Sequence, residues 1–469
     1  MTLKRENNME ICTVGGFEQV GKNMTAVRVD DDVFIFDAGL YIPGIVELQE
    51  DNLMEYTHRL QKKGQRNQNF SEKKLREFGV IPNDTVLDKL GWHDKVRAIF
   101  ISHAHLDHLG GVPYIAKRYP NVPIYGTPFT MQLLKEILDD EHIKLSNKIN
   151  VIQSDSTHMI KGKSATYKVD FIHATHSTIE CVFPALHTKE GIFFYALDLK
   201  FDNHPTLGNP PSYNLMEAAG KEGVKALVLD SLYSGTEVEP GGEIVAYHLL
   251  EEAYSKITSG NTAFFVTTFS SHIERLTNIV KLAKKMAPNR EIVFLGRSLA
   301  KNIEAATKVG LWKFKGIKTL KYGRQRESFL RKVEKNREKY FVVCTGHQAE
   351  ENSVLDRIVK GTMPFKFKSG DNLIFSSSVI PVPINIMARE RMDNKLRRMG
   401  VKIQTNVHVH GHGSREDMRH LVNMTKPQHI IPAHGTLQQE TPMIGLATEM
   451  GYKFGKTSHL SNDGNVIKI

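Results

Sequence analysis

The sequence is poor in cysteine and has no long apolar run. Its 469 residues include three cysteines, Cys12, Cys181 and Cys344, and no two of them form a Cys-x-x-Cys pair. Such a sparse set argues against a disulfide framework and is typical of a reducing compartment. No stretch approaches the roughly 20 apolar residues of a membrane span, and the first residues lack the apolar core of a signal peptide. We therefore expect a cytoplasmic protein without membrane contact.

Acidic residues are too few to balance the basic ones, and the formal net charge is +10. The excess is concentrated in one basic tract, residues 313–339, where eleven Lys and Arg accompany three Glu. A local excess favours a nucleic-acid partner over a uniformly basic surface. For any single residue of the tract, a solvated helix face is an equally good interpretation.

Residues 100–111 carry the densest group of metal-binding side chains. The apolar run 98–101 predicts a buried strand, and Gly110-Gly111 predicts a turn soon after it. Between them lie four side chains of the types that bind metals: His103, His105, Asp107 and His108. On a strand end the first two point the same way, while the other two lie beyond it and can reach a second point. The cluster can hold two metal ions close together, which suits hydrolysis of a phosphate ester.

Three other apolar strands are predicted to end in a carboxylate, at Asp37, Asp198 and Asp230. A carboxylate at the end of an apolar strand is costly to bury unless it accepts hydrogen bonds. His176, on a β-rich stretch, and Asp198 are the best candidates for a further ligand and a metal-bridging acid. His173 lies three residues earlier, so a strand would place it on the opposite face, and a structural role is favoured.

The segment 16–23 is close to a phosphate-binding loop but lacks its essential hydroxyl. Such a loop opens a helix and offers a Ser or Thr hydroxyl to a magnesium ion. Here Asn23 takes the place of the hydroxyl, and the residues that follow favour a strand. We reject a nucleotide-binding loop at this position.

From about residue 240, predicted strands alternate with helices, which indicates a parallel-sheet α/β domain. The predicted strands span 262–269, 291–295, 340–344 and 372–375. This region carries the basic tract and almost none of the metal-binding clusters, so we interpret it as a second domain inserted into the first. The expected domain boundaries are 1–238, 239–405 and 406–469. Residues 47–95 form a polar connection with helical patches, to which we assign no chemistry.

The metal-binding pattern resumes near the end of the chain. His408, His410 and His412 are spaced by two, so a strand would present all three on one face. His434 follows a short predicted strand, 429–433, and residues 463–469 predict a terminal strand.

The cluster from His103 to His108, followed by His176, Asp198 and His434, resembles the dinuclear zinc site of the metallo-β-lactamase fold. The insertion between Asp230 and His412 resembles the β-CASP subgroup of that fold. Within the subgroup, the chain is similar to the ribonuclease J family nearly end to end. The matching stretches include 15–24, 103–111, 296–303, 344–350, 376–381, 408–412 and 432–435. The implied fold class is α/β, an αββα metallo-β-lactamase sandwich with an inserted α/β β-CASP domain.

The resemblance also implies the role of each site residue. Two Zn²⁺ per chain would be bound, one by His103, His105 and His176, and the other by Asp107, His108 and His434, with Asp198 bridging them. The catalytic group would comprise Asp37, Asp107, Asp230 and His412, where Asp37 orients the cluster and His412, held by Asp230, protonates the departing 3′-oxygen. RNA phosphates would be bound by Ser376, Ser377, Ser378, His408, Val409, His410, Gly411 and His412.

The sequence departs from the family pattern at two positions, because His410 and His347 stand where the family usually has serine. The chain also ends about where the zinc-binding fold is complete. We therefore expect the shorter, archaeal type of the family, without the C-terminal domain of its bacterial members. A homodimer and protein partners in RNA decay are left open.

The implied activity is zinc-dependent hydrolysis of single-stranded RNA, as a processive 5′-3′ exoribonuclease in RNA decay and maturation. The closest alternative is a β-CASP endonuclease of the 3′-end-processing type. A small-molecule hydrolase of the same fold would have no use for a basic insert, and a non-catalytic RNA-binding subunit would not need the full ligand set. DNA stays open as a substrate, because the chemistry does not require a 2′-hydroxyl.

Overall fold

The computed structural model describes residues 9–41, 71–238, 241–257, 260–380 and 383–469. Three sheets lie within these ranges. Of the predicted polar connection 47–95, residues 47–70 lie outside the described part. The rest includes α1 (Glu72–Glu77) and α2 (Val86–Lys89), so the helical patch expected there is confirmed.

The first two sheets form a sandwich. Numbered along the chain, the first sheet has the order β19-β1-β2-β3-β4-β5-β6 and the second has the order β18-β11-β10-β9-β8-β7. The first comprises β1 (Met9–Gly15), β2 (Met24–Val29), β3 (Asp32–Phe36), β4 (Val96–Phe100), β5 (Ile124–Gly126), β6 (Ile149–Val151) and β19 (Asn465–Lys468). The second comprises β7 (Ser156–Lys161), β8 (Thr166–Ala174), β9 (Cys181–Thr188), β10 (Gly191–Ala196), β11 (Val224–Asp230) and β18 (His429–Ala433).

Aromatic side chains fill the space between these two sheets. Phe36 packs on Phe100 within the first sheet and on Phe193 and Tyr195 of the second, with ring centroids 4.8–5.3 Å apart. Alternate residues of each strand face this core, as expected for strands with a period of two. The shared core fixes the two sheets relative to each other, and with them the strand ends that carry the site.

Helices cover the outer faces of the sandwich. The first sheet is covered by α4 (Val112–Ile115) and α5 (Pro128–Asp140), which follow α3 (Leu106–Leu109). The second is covered by α6 (Tyr213–Glu222), α13 (Arg415–Thr425) and α14 (Leu437–Glu449). This is the expected αββα arrangement. Among the described residues, no helix combines the length and apolar character needed to cross a membrane.

The third sheet is entirely parallel, as predicted, with the order β14-β13-β15-β12-β16-β17. Its strands are β12 (Phe264–Thr267), β13 (Glu291–Leu295), β14 (Lys318–Leu320), β15 (Tyr340–Cys344), β16 (Asn372–Phe375) and β17 (Lys402–Gln404). Its helices are α7 (Glu243–Ser255), α8 (Ile273–Met286), α9 (Arg297–Lys308), α10 (Gly323–Lys335), α11 (Val354–Val359) and α12 (Pro383–Arg398). These elements form the inserted domain; the predicted boundaries after residues 238 and 405 stay a prediction.

The inserted domain packs on the sandwich mainly through α9, which contacts α5. Apolar residues at this contact join the core under the first sheet to the core on one face of the third. Ion pairs surround it, including Lys308 with Glu136 at 2.5 Å and Arg297 with Asp140 at 3.1 Å. A continuous apolar core therefore links the inserted domain to the sandwich.

The strand predicted through His408, His410 and His412 is wrong. Residues 405–412 form no strand, and Asn406 has a left-handed backbone with φ 62°. The three rings face different partners: His408 lies on Arg275, His410 stacks on Tyr233, and His412 bonds Asp230. The segment leaves the third sheet and crosses to the sandwich, where side chains rather than a strand ladder bind its backbone.

Candidate active site

Three site residues lie within two positions of the end of an apolar strand. Asp37 follows β3, Asp198 lies two residues after β10, and His434 follows β18. All three have left-handed backbones, with φ of 59°, 57° and 65°. Non-glycine residues seldom adopt this conformation, and those that do cluster at functional sites. Each strand therefore ends in a sharp turn that brings its polar side chain into one cluster.

The cluster contains two groups of metal-binding side chains that share one carboxylate. The ligand atoms within each group lie within 4.8 Å of one another. One group is His103, His105, His176 and Asp198, and the other is Asp107, His108, His434 and Asp198. The structure thus brings together all seven residues that the sequence predicts as metal ligands.

Asp198 lies between the two groups. Its Oδ2 is 3.3 Å from His103 Nε2, 3.1 Å from His108 Nε2 and 3.3 Å from His176 Nε2. Its Oδ1 lies 3.5 Å from His434 Nε2. Because Oδ2 lies near histidines of both groups and Oδ1 lies near His434, the position of this carboxylate suits a bridging acid.

In three of the histidines, the ring nitrogen that faces away from the cluster, Nδ1, has a polar partner of its own. His108 Nδ1 donates to Asp37 Oδ2 at 2.7 Å, and His176 Nδ1 donates to the Gly411 carbonyl at 2.7 Å. His103 Nδ1 lies 3.0 Å from the Ser102 hydroxyl. Partners of this kind orient metal-binding histidines and set which nitrogen faces the metal. In all three residues, Nε2 is the nitrogen that faces the cluster.

Asp37 is fully buried, and both of its carboxylate oxygens accept hydrogen bonds. Its two oxygens accept from the Ser102 amide and hydroxyl, both at 2.8 Å, as well as from His108. The hydrogen bonds that a buried strand-end carboxylate requires are therefore present. They make Asp37 a fixed anchor for the ring of His108.

Burial and charge set the protonation of the cluster. Burial lowers the pKa of His105 to about 3 and holds the pKa of His176 well below its usual value. Although burial opposes it, the charges of Asp198 and Asp37 raise the pKa of His108 well above its usual value. Neutral imidazoles and ionised carboxylates are the forms that bind metals. A bound cation would displace the proton from His108.

Unpartnered buried atoms support a metal site. His103 Nε2 and Asp198 Oδ1 are buried and have no hydrogen-bond partner among the described residues. Buried polar atoms almost always have partners, and a bound ion is one explanation for those that lack them. A set of imidazole and carboxylate donors matches the ligands that zinc takes. The residues therefore fit two divalent ions of the zinc type.

Asp230, which is buried, and His412, which is partly buried, form a pair beside the cluster. His412 Nδ1 lies 2.6 Å from Asp230 Oδ2, and its ring stacks on that of His434 with centroids 5.4 Å apart. Burial lowers the pKa of His412, but the charges of Asp230 and Asp198 outweigh it and raise that pKa to about 9. This pair also lies close enough to Asp198 to form a third group of donor atoms.

The residues predicted to bind phosphates lie along the junction between the inserted domain and the sandwich. Ser376 and His408 are bonded internally to Arg275. By contrast, Ser377 Oγ and His410 Nδ1 are buried without a partner in the part of the chain that the structure describes. His410 also stacks on Tyr233, with ring centroids 4.5 Å apart. The histidine that replaces the usual serine thus stands in an aromatic pair.

Asn23 is a site residue that sequence reasoning missed. Its side-chain nitrogen lies 2.8 Å from His434 Nδ1 and 3.0 Å from His108 Nε2, and it donates to the Asp107 carbonyl at 3.1 Å. A strand follows it, as predicted. The signal available in the sequence was the rejected loop, where Asn23 takes the place of the hydroxyl. Asn23 joins two distant parts of the chain, at Asp107–His108 and at His434.

Comparison with known families matches three successive parts of the chain. The metallo-beta-lactamase superfamily profile matches residues 18–170. The profile described as "Ribonuclease J, beta-CASP domain" matches residues 261–396. The profile described as "Zn-dependent metallo-hydrolase RNA specificity domain" matches residues 398–440.

Among curated proteins, Ribonuclease J of Pyrococcus abyssi is 38% identical over 99% of this chain and 98% of its own length. Ribonuclease J of Methanocaldococcus jannaschii is 36% identical over 98% of this chain and 99% of its own. A crystal structure of a protein of unknown function from Enterococcus faecalis matches with a TM-score of 0.61 at 16% identity, covering 98% of this chain and all of that one. The last match bears on the fold alone. The chain therefore belongs to the ribonuclease J family.

Proposed function

We propose that this chain is a zinc-dependent ribonuclease that hydrolyses single-stranded RNA from the 5′ end. The observation that carries the proposal is the pair of donor groups that share Asp198. Two cations held by these groups would suit displacement at a phosphorus atom, because they would offset the charge that develops on the reacting oxygens. Membership of the ribonuclease J family and the matched RNA specificity profile support RNA as the substrate.

We assign one zinc ion to His103, His105 and His176 and the other to Asp107, His108 and His434, with Asp198 between them. When bound, the two ions would supply Lewis-acid charge and lower the pKa of a water molecule to about 7. The protein fixes this arrangement in advance, because Asp37, Ser102 and the Gly411 carbonyl hold the rings. Fixed rings need no reorganisation during the reaction.

His412 is the proposed general acid. With a pKa raised to about 9, its imidazole carries a proton at neutral pH. Nδ1 is bonded to Asp230, so Nε2 is the nitrogen that can give a proton to the departing 3′-oxygen. Such a transfer contributes about 10²–10⁴-fold to the rate. Cleavage on this side of the phosphate leaves a 5′-phosphate on the next nucleotide.

We assign RNA binding to Ser376–Ser378 and to residues 408–412. The Ser377 hydroxyl and His410 Nδ1 have no partner within the described residues and can donate to phosphate oxygens. The Tyr233–His410 pair offers a flat aromatic surface of the kind on which bases stack. Exonuclease action from the 5′ end would further require a pocket that fits a terminal phosphate.

Digestion of 5′-labelled single-stranded RNA tests the proposal. Purified protein should contain close to two zinc ions per chain and release the label as mononucleotide. His105→Ala should abolish cleavage while most RNA binding survives. His187→Ala serves as the matched control, since His187 pairs with Asp170 and Glu222 outside the site. Internal fragments without mononucleotide would favour the endonuclease, and active protein with no metal would contradict the dinuclear site.

A further inference from the structure

We propose that Arg275 of the inserted domain is a positioning residue for the metal centre. Its guanidinium fixes the segment 407–413, and that segment fixes the ring of His176 and the imidazole of His412. The inference rests on the proposed function, because it assumes that the donor groups bind metal and that the protein cleaves RNA. It adds a residue outside the predicted catalytic and metal sets.

Arg275 lies in the first turn of α8 and is fully buried. It forms a two-pronged pair with Glu243 at the start of α7, with Nε to Oε1 at 2.5 Å and Nη2 to Oε2 at 2.8 Å. The Glu243 amide in turn donates to Asp202, four residues after Asp198, at 2.6 Å. A buried charge pair is stable only when it is well bonded, and this one is. The guanidinium therefore has one fixed orientation.

The remaining donors of Arg275 hold the segment that crosses to the sandwich. Nη1 donates to the Ser376 carbonyl at 3.1 Å and hydroxyl at 3.0 Å, and lies 3.0 Å from His408 Nδ1. Nη2 donates to the Val409 carbonyl at 3.5 Å. The Ser376 hydroxyl donates to the Val407 carbonyl at 2.9 Å. One guanidinium thus ties Ser376, the residue after β16, to His408 and Val409 of the segment that crosses to the sandwich.

The same segment reaches the metal donors within two residues. The Gly411 carbonyl accepts from His176 Nδ1 at 2.7 Å. His412 is bonded to Asp230, and the Gly413 amide donates to the Leu199 carbonyl, next to Asp198, at 2.6 Å. Residues 405–412 form no strand ladder that would hold them otherwise. Their position therefore depends on side chains, and Arg275 supplies the largest set of bonds.

Replacing Arg275 should affect one of the two metal ions and not the other. His176 belongs to the group with His103 and His105, whereas Asp107, His108 and His434 are held by Asp37, Asn23 and the loop at Gly16. Loss of a partner behind a ligand lowers metal affinity or activity by about 10–100-fold. Arg275 acts one step further away, so we expect a change of about tenfold at one metal ion and none at the other.

Arg275→Lys is the test variant, because lysine keeps the charge beside Glu243 but lacks the fork that spans several acceptors. Arg337→Lys is the matched control. Arg337 is also buried in the inserted domain and pairs with Asp371 at 2.6 Å, but it bonds nothing in the crossing segment. Zinc release is followed by chelator competition, alongside kcat on 5′-labelled RNA. A second variant, Arg275→Met with Glu243→Met, removes both charges together so that no unpaired charge is left buried.

We expect both Arg275 variants to release one of their two zinc ions at about tenfold higher free zinc than wild type, with a matching loss of kcat. Arg337→Lys should retain both ions. The inference is overturned if the Arg275 variants release zinc as wild type does. It is also overturned if they lose both ions to the same extent and release no more zinc than Arg337→Lys does. A wild-type protein that binds no zinc or leaves RNA intact would instead contradict the proposed function.

Discussion

Asp230 and His412 are the pair on which the pH dependence of the proposed reaction rests. If His412 is the general acid, as proposed, its protonated form is the active one, and the rate should fall as pH rises through the pKa of His412. Asp230 raises that pKa, and Asp230→Asn removes the charge while preserving the shape of the side chain. We expect the alkaline limb of kcat/KM to move to lower pH by about one unit or more.

The profile should be measured at saturating zinc on one short RNA. Bound cations offset the charges of Asp198 and Asp107, so the wild-type limb should lie below the value of about 9 that applies without them. Asp170→Asn is the control, because it removes the same charge beside His187, away from the site. An alkaline limb that stays in place in Asp230→Asn would exclude His412 as the general acid.

Site residues could be predicted from sequence where the residue type itself, a histidine or a carboxylate, indicates metal binding. The ligands from His103 to His108 lie within six positions, and Asp198 and His434 end apolar strands, so residue type and position point to the same role. Asn23, Ser102 and Arg275 could not be assigned in this way. Each acts through partners that are distant in sequence, and an amide, a hydroxyl or a guanidinium has many uses in a protein.

Strands were predicted well where a run of apolar residues is buried on both faces. β13, β15 and β16 begin and end where the apolar runs 291–295, 340–344 and 372–375 predict. The segment 408–412 failed because a spacing of two is necessary for a strand but does not supply a neighbour to pair with. There the left-handed Asn406 and the bonds to Arg275 determine the path.

The turn before β19 stabilises one half of the metal centre from the far end of the chain. Asp463 accepts from the Phe17 amide at 3.0 Å and from Gln19 at 3.1 Å, and pairs with Lys22 at 3.1 Å. The same loop accepts the His434 amide through the Gly16 carbonyl at 2.6 Å and carries Asn23 at its end. Asp463→Ala should therefore loosen the loop and weaken zinc binding at the Asp107, His108 and His434 group.

Chelator competition would measure the effect, which we expect to be about tenfold at one of the two ions. Lys468→Ala is the control, since Lys468 lies at the end of β19 and pairs with Glu10 of β1 at 3.0 Å rather than with the loop. Equal zinc release by wild type and Asp463→Ala would mean that the loop holds its shape without the turn.

For the molecule as a whole, the proposed zinc ions would join parts that are far apart in sequence. The donors come from both sheets of the sandwich, between His103 and His434. Zinc that binds only the folded chain stabilises it by about 2.7 kcal/mol per site at a free concentration of 100 Kd. We expect added zinc to raise Tm by several degrees, as measured by calorimetry against chelator-treated protein. His187→Ala should keep the full shift, and an equal shift in His105→Ala would contradict the assignment.

The inserted domain was predictable from its alternation of strands and helices and from its charge, but the place of the basic tract was not. The tract contributes β14 and α10, and β14 is the outermost strand of the third sheet. Four strand spacings, about 19 Å, separate β14 from β16, which leads into the site. Part of the tract is also paired internally, as Lys318 is with Glu291 at 2.6 Å. We therefore expect the tract to attract RNA from a distance rather than to hold it during cleavage.

That placement makes a kinetic prediction for the exposed residues Arg324 and Arg331. Replacing both by Gln should lower the association rate constant for single-stranded RNA several-fold at low salt and leave kcat unchanged. The difference should vanish near 1 M salt, where the screening length falls to about 3 Å. Stopped-flow binding over a salt series measures the association rate constant and its salt dependence. The control, Arg324→Lys with Arg331→Lys, keeps the charge. If RNA instead lay on the tract, the Gln variant would dissociate faster, and the slope of log K against log salt would weaken by about 0.7 for each RNA phosphate that the protein no longer neutralises.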